Sequence, residues 1–259
     1  MSDVRNGTAS LDKSGKKILV AVIAYNEERN IRRALTDLVE NNFGFDIVVI
    51  DNGSLDRTVD VAKEMGINVV SHCVNTGGPG GVVMTYFLYA YRHDYDILCQ
   101  FDGDGQHRAS ELPKIIAPVL HDQADYVIGS RFLEKKGYQS SVVRRIGIRL
   151  FGWLSSLLIH QKLTDITSGF RTYGRKVIDF YATFYKHEIS NTSELLLISH
   201  AVGARIKEVP VVMDTRIYGR SAYNLLRSLA YVTKGFVSII GCTLQKSQIK
   251  SYLKHKRKD

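Results

Sequence analysis

Apolar and polar residues follow one another along this chain in blocks whose period switches between that of a strand and that of a helix. Lys17 to Ala24 (KILVAVIA) is a continuous, β-branched apolar run, the pattern of a strand buried on both faces of a parallel sheet. The polar group Tyr25-Asn26-Glu27-Glu28 ends it. From Asn30 to Val39 the apolar residues Ile31, Leu35 and Leu38 fall at helical spacing. Asp46 to Ile50 predicts a second strand, closed by Asp51-Asn52-Gly53-Ser54. A helix from about Asp56 to Met65 and a third strand from Ile67 to Ser71 follow. Gly77 to Gly81 reads as a glycine-rich loop, Thr85 to Arg92 as a helix, and Tyr95 to Phe101 as a strand. This alternation predicts an α/β fold with a mostly parallel, doubly wound sheet. Ligands of such sheets bind at the carboxyl ends of the strands. Three polar clusters stand there: Tyr25 to Glu28, Asp51 to Ser54, and Asp102 to Gln106.

The second half is less regular. Helices are predicted over Glu111 to His121, Val142 to Leu158 and Ser193 to Val202. Asp125 to Ser130 predicts a strand, Thr164 to Thr172 a loop, and Ile206 to Met213 an edge strand because it contains Pro210. The last apolar stretch, Leu225 to Leu244, is interrupted by Arg227 and Lys234 and runs into the basic tail Lys246 to Lys258. It reads either as a core helix with a solvated tail or as an amphipathic helix lying on an anionic membrane surface. No uninterrupted apolar run is long enough to span a bilayer, and the polar start of the chain lacks the apolar core of a signal peptide.

The strongest chemical signal is Phe101-Asp102-Gly103-Asp104-Gly105-Gln106-His107. Carboxylates two residues apart at a strand end point to the same side. With the amide oxygen of Gln106 they make Asp102, Asp104 and Gln106 a candidate hard-cation site for Mg²⁺ or Mn²⁺ carrying a diphosphate. An EF-hand loop is excluded, because its sixth and twelfth positions would be His107 and Pro113 rather than Gly and Glu. Gly77-Gly78-Pro79-Gly80-Gly81 has neither the lysine of a P-loop nor dinucleotide spacing. Composition adds one point. The chain of 259 residues carries a formal net charge of +9, which favours anionic partners. No aromatic residues interleave with basic ones in the way that would suggest nucleic acid. The three cysteines, Cys73, Cys99 and Cys242, are expected to be buried reduced thiols.

The ordered set of motifs resembles inverting GT-A glycosyltransferases of the dolichyl- or polyprenyl-phosphate mannosyltransferase type. It comprises Ala24-Tyr25-Asn26-Glu27-Glu28, Asp51-Asn52-Gly53-Ser54-Leu55-Asp56-Arg57-Thr58, Asp102 to His107, Gly129-Ser130-Arg131-Phe132, Thr167-Ser168-Gly169-Phe170-Arg171, Glu208-Val209-Pro210-Val211, and Arg216 with Gly219-Arg220-Ser221. The resemblance covers residues 17 to 222 and implies a catalytic domain over that span. Residues 1–16 would form a flexible tail and 223–259 a membrane-interfacial amphipathic helix with a basic tail. It implies that Ala24, Tyr25, Asn26, Glu27, Asp51, Asp102 and Gly103 hold the nucleotide, and that Asp104 and Gln106 hold the metal. Arg131, one of Arg144 or Arg145, and Arg216 would meet phosphates. Ser168, Gly169 and Arg171 would line the acceptor site with Arg131. The partners it implies are a GDP- or UDP-linked sugar, a polyprenyl phosphate, the cytosolic membrane face and, in some arrangements, a membrane protein or a second copy of the chain. Three features differ from the type. Asn52 replaces a usual aspartate. The glycine-rich loop lacks a lysine often seen there and is closer to transferases that act on a sugar hydroxyl. No transmembrane hairpin follows Ser221, which implies an enzyme peripheral on the inner membrane face or one that borrows a membrane partner. A hydroxyl acceptor needs a general base, for which Asp165 and Glu194 are the candidates. A non-catalytic nucleotide-sugar-binding scaffold is the remaining alternative.

Overall fold

The computed structural model describes residues 15–76, 80–134, 152–153, 155–185 and 192–218. Among the described residues seven strands form one sheet: β1 (Ile18–Ala24), β2 (Asp46–Asp51), β3 (Asn68–Ser71), β4 (Ile97–Asp102), β5 (Tyr126–Ser130), β6 (Arg171–Gly174) and β7 (Ile206–Pro210). The helices are α1 (Ile31–Asn41), α2 (Thr58–Glu64), α3 (Gly80–Arg92), α4 (Leu112–Leu120), α5 (Arg175–Asp179) and α6 (Thr192–Ala201). Across the sheet the order is β3-β2-β1-β4-β6-β5-β7. β1, β2, β3 and β4 are parallel, β7 is parallel to β5, and β6 runs antiparallel between β4 and β5.

The unbroken apolar run of β1 has a direct cause. Leu19 and Ala21 face one layer, with α3, α5 and α6. Val20 and Val22 face the other, with α1, α2 and α4. A strand covered on both faces has no solvent side to alternate with. Pro210 ends β7, the outermost strand of the sheet, where a missing N–H interrupts no ladder.

Register carries the strand-end clusters to one level. Ala24 pairs with Asp51 of β2, and Ile23 pairs with Asp102 of β4. The residues that follow β1, β2 and β4 therefore open at the same edge of the sheet.

The main departure from the predicted elements is β6. The loop expected over Thr164 to Thr172 stops at Phe170, and Arg171 begins a strand that pairs with Gln100 on one side and Ile128 on the other. A four-residue segment with the sequence RTYG has no alternation of its own, so its conformation comes from its two neighbours. The helix predicted over Glu111 to His121 is a 3₁₀ turn (Ala109–Glu111) that continues as α4. Cys99 is buried as expected, but Cys73 is exposed and so departs from that expectation. Of the predicted helix Val142 to Leu158, residues 152–153 and 155–158 are described and helical. The expected tail 1–16 is described only from residue 15. The expected interfacial helix, the basic tail, and Arg144 and Arg145 lie outside the described residues. Within the described residues no helix is long and apolar enough to cross a membrane.

Arg171 was expected to line an acceptor site. Its side chain is instead fully buried. The guanidinium donates from Nε to the carbonyl of Ser168 at 2.6 Å, from Nη2 to the carbonyl of Ile166, and from Nη1 to the Tyr126 hydroxyl. It ties the 165–170 loop to the sheet from below. Replacing it as Arg171→Met strands these acceptors in the interior, where an unmet acceptor costs about 1–3 kcal/mol. Urea denaturation is expected to show a loss on the order of 3 kcal/mol. Wild-type stability with weakened acceptor binding would return Arg171 to the acceptor site.

Candidate active site

The loops after β1 and β2 are joined by main-chain to side-chain bonds. Asn26, at φ 52°, takes a left-handed turn that asparagine tolerates. Its N–H donates to Ser54 Oγ at 2.9 Å, and its Oδ1 accepts from the N–H of Leu55 at 2.9 Å. The N–H of Glu27 donates to Thr58 Oγ1 at 2.7 Å, and that of Glu28 to Asp56 Oδ2 at 3.1 Å. Asp51 is fully buried. Its carboxylate accepts from the N–H of Ser54 at 3.1 Å, from the Ser54 hydroxyl, and from Ser71 Oγ at 2.6 Å. Asn52 accepts from Thr76 through both N–H and Oγ1. Asp51 and Asn52 thus shape the floor, and Tyr25, 42% exposed, stands at the edge above Ala24.

The acidic turn follows β4. Gly103 closes it against β1: its N–H donates to the carbonyl of Ile23 at 2.8 Å, and a Cβ there would lie 2.8 Å from Ile31 Cδ1. The N–H of Asp102 donates to Nδ1 of His107 at 2.9 Å, which places the imidazole proton on Nε2, 3.6 Å from Asp102 Oδ2. Burial pushes the His107 pKa down to about 4, so the ring is neutral. It stacks on Phe170 at 4.4 Å between centroids. Gly169, next to Phe170, lies against the Asp102 carboxylate so closely that a Cβ would collide with it. The loop before β6 and the acidic turn are therefore one packed unit.

Burial raises the pKa of Asp102. It raises that of Asp104 as well, and the neighbouring Asp102 charge adds to the effect. The pair is a concentration of partly desolvated negative charge. Asp104 Oδ1 accepts from the N–H of Gln106 at 3.0 Å. The Gln106 amide donates through Nε2 to the carbonyl of Asp214 at 3.3 Å, which turns its oxygen the other way. Two carboxylates and an amide oxygen fit a hard divalent cation. No three His, Cys, Asp or Glu side chains converge on one point among the described residues. That donor set suits a cation completing its shell with substrate phosphates and water, as Mg²⁺ does.

A strap, residues 211–218, leaves β7 and crosses this turn. The N–H of Asp214 donates to the carbonyl of Gln106 at 2.8 Å. Arg216 forms an ion pair with Glu27 and approaches Asp104 Oδ2 at 3.6 Å. Burial raises the Glu27 pKa, against the pull of Asn30 and Arg216. The structure therefore brings together Glu27, Asp102, Gly103, Asp104, Gln106, Gly169 and Arg216. Arg131 lies near enough to lower the Asp102 pKa, against the larger effect of burial, and is engaged by a second carboxylate. It is buried, and its Nε and Nη2 fork onto Asp165 at 2.7 and 2.8 Å. Ser168 is buried and accepts from the N–H of Phe170. The sequence pattern assigns no role to His107 or Asp214. His107 stood inside the motif. Asp214 had no local signal, because its importance comes from a contact across 108 positions of sequence.

The family described as Glycosyl transferase family 2 matches residues 19–181. An uncharacterised protein of Methanocaldococcus jannaschii is 32% identical over 89% of this chain and 92% of its own length. The UDP-N-acetylglucosamine–dolichyl-phosphate N-acetylglucosaminyltransferase of Methanococcus voltae is 28% identical over 76% of this chain and 85% of its own. The undecaprenyl-phosphate mannosyltransferase of Micrococcus luteus is 29% identical over 79% and 86%. The fold is that of GT-A glycosyltransferases. Glucosyl-3-phosphoglycerate synthase of Mycobacterium tuberculosis, solved with Mn²⁺ and uridine-diphosphate-glucose, superposes with a TM-score of 0.69 at 18% identity, over 93% of this chain and 83% of that one.

Gly169→Ala tests the packing of the loop on Asp102. The added methyl must displace that carboxylate, and misplacement by about 1 Å in an active site costs on the order of 10²-fold. Sugar-transfer rate is expected to fall by about that factor, with a melting temperature close to wild type. Undiminished transfer would show that Asp102 can shift without consequence.

Proposed function

Because the chain belongs to glycosyl transferase family 2, we propose that it moves a hexose from a nucleotide diphosphate sugar to a polyprenyl phosphate at the cytosolic face of a membrane. Relatives that act on dolichyl and undecaprenyl phosphates support the acceptor class. The observation that carries the reading is the state of the two candidate general bases. Asp165 is fully buried, forked by Arg131, and its N–H donates to Glu208 at 2.6 Å. Glu194 is buried and accepts from the Tyr185 hydroxyl at 2.6 Å. Neither is placed to take a proton from a sugar hydroxyl. A phosphate acceptor is already anionic and needs none taken.

In this reading Glu27 and the loops stitched to it receive the nucleotide. Asp104 and Gln106, with Asp102 behind them, would hold Mg²⁺ or Mn²⁺. That cation would neutralise charge growing on the leaving diphosphate. An acceptor phosphate oxygen attacks the sugar C1 from the face opposite the diphosphate. The C1–O bond to the diphosphate breaks as the new one forms, the nucleoside diphosphate leaves with the electron pair, and the configuration inverts. Arg216, already beside Asp104, is placed to meet diphosphate oxygens, since guanidinium binds phosphate bidentately. Arg131 contributes by anchoring Asp165 and with it the loop that carries Gly169.

Incubation with labelled GDP-mannose, UDP-glucose, UDP-galactose or UDP-N-acetylglucosamine and a polyprenyl phosphate is expected to give an organic-soluble product that mild acid releases. The unphosphorylated polyprenol should give none. No product from any of these donors would sink the proposal. Asp104→Asn is expected to lower the transfer rate by at least ~10²-fold while the fold is retained. Asp165→Asn is expected to destabilise by about 3 kcal/mol, as removal of one partner of a buried pair does. A fully stable Asp165→Asn variant that lacks transfer would favour the hydroxyl-acceptor chemistry instead.

A further inference from the structure

The strap after β7 has two ionic anchors, and only Arg216 enters the reading above. The other is Asp214. Its carboxylate is gripped by Arg108, through Nε at 2.9 Å and through Nη2, and lies 3.5 Å from Nη2 of Arg33. Its backbone faces the other way, toward the acidic turn. The N–H donates to the Gln106 carbonyl at 2.8 Å, and the carbonyl accepts from Gln106 Nε2 at 3.3 Å. One residue therefore holds both the main chain and the side chain of Gln106.

This grip decides which way the amide points. A glutamine side chain is a rotor with a donor end and an acceptor end, and only the oxygen ligates a cation. Donation from Nε2 to a fixed carbonyl keeps the oxygen turned away from Asp214. The carbonyl is fixed because the carboxylate of the same residue is tied to two supports outside the strap. Arg33 rises from α1, which is seated in the core through Ile31, Ala34, Leu35 and Leu38. Arg108 stands just before the 3₁₀ turn that leads into α4. The chain of constraint runs from α1 and residue 108 to the Asp214 carboxylate, then through its carbonyl to the Gln106 amide.

We propose that Asp214 is a positioning residue that sets the divalent-metal affinity of the site by orienting Gln106. The inference rests on the reading of Asp104 and Gln106 as a cation pair. If Asp214 were only half of a surface ion pair, its loss would change stability slightly, because exposed pairs contribute about 0–1 kcal/mol, and it would leave metal binding alone. Partners that orient a ligand behave differently: their removal costs about 10–100-fold in metal affinity.

The test is Mn²⁺ binding without turnover, followed by electron paramagnetic resonance of the free ion, on the full chain with and without UDP. Asp214→Ala is expected to weaken Mn²⁺ binding about 10–100-fold, with its melting temperature within a few degrees of wild type and metal-free UDP binding unchanged. Asp214→Glu, which keeps the charge, should recover most of the affinity. Arg108→Gln should weaken binding in the same direction and carries the test if Asp214→Ala fails to fold. In a Gln106→Ala background the Asp214→Ala change should cost nothing further, because the two act through one ligand. Unchanged Mn²⁺ affinity in folded Asp214→Ala or Arg108→Gln, or fully additive losses in the double variant, would overturn the proposal. A different failure is distinguishable. If wild type with UDP binds no Mn²⁺, the cation reading is lost and this inference with it.

Discussion

The carboxylates of Asp102 and Asp104 at the end of β4 are the constraint on which the rest of the site depends. Burial raises the cost of ionising both, and the Asp102 charge adds to that cost at Asp104. A protein that keeps them there must surround them with compensating groups. Arg216 reaches Asp104 from the strap, and Arg131 and Arg171 act on Asp102 from the sheet side. His107 stays neutral behind the turn and holds the Asp102 N–H. The pair remains a concentration of negative charge held in place by its neighbours.

Compensation at a distance explains the placement of several polar residues. Arg171 and Arg131 are not surface charges aimed at solvent. One carries the 165–170 loop from below through carbonyls. The other carries it through Asp165, whose own N–H is held by Glu208 of β7. That loop then delivers Gly169 onto Asp102, where no larger residue fits. The acidic turn, the loop before β6 and the edge strand β7 therefore form one connected polar network, in which half-satisfied members would be costly.

Much of the architecture was legible along the chain. The unbroken apolar run of β1, the strand pattern from Tyr95 to Phe101, the helical spacing after Asn30, and the polar residues at the strand ends predicted a doubly wound sheet with a pocket at its carboxyl edge. The Asp102-to-Gln106 pattern placed two carboxylates together at a strand end because side-chain direction in a strand is local. Three things were not legible. The strand β6 has no pattern of its own and is made by pairing with Gln100 and Ile128. The burial of Arg171 could not be told from exposure of an arginine in a loop. The role of Asp214 lies in contacts with Arg33, Arg108 and Gln106, all distant in sequence.

The fold class and the position of the acidic turn at the end of β4 can be read along the chain, because both rest on periodicity and neighbouring residue types. Which arginines and carboxylates are buried in support of the loops, and which stand at the acidic turn, emerges from the folded arrangement. That arrangement placed Arg216 at the turn, withdrew Arg131, Arg171, Asp165 and Glu194 into buried partnerships, and laid the strap across Gln106. The reason is that a charged side chain's role is set by what shares its low-dielectric surroundings, and those neighbours come from elements far apart in the chain.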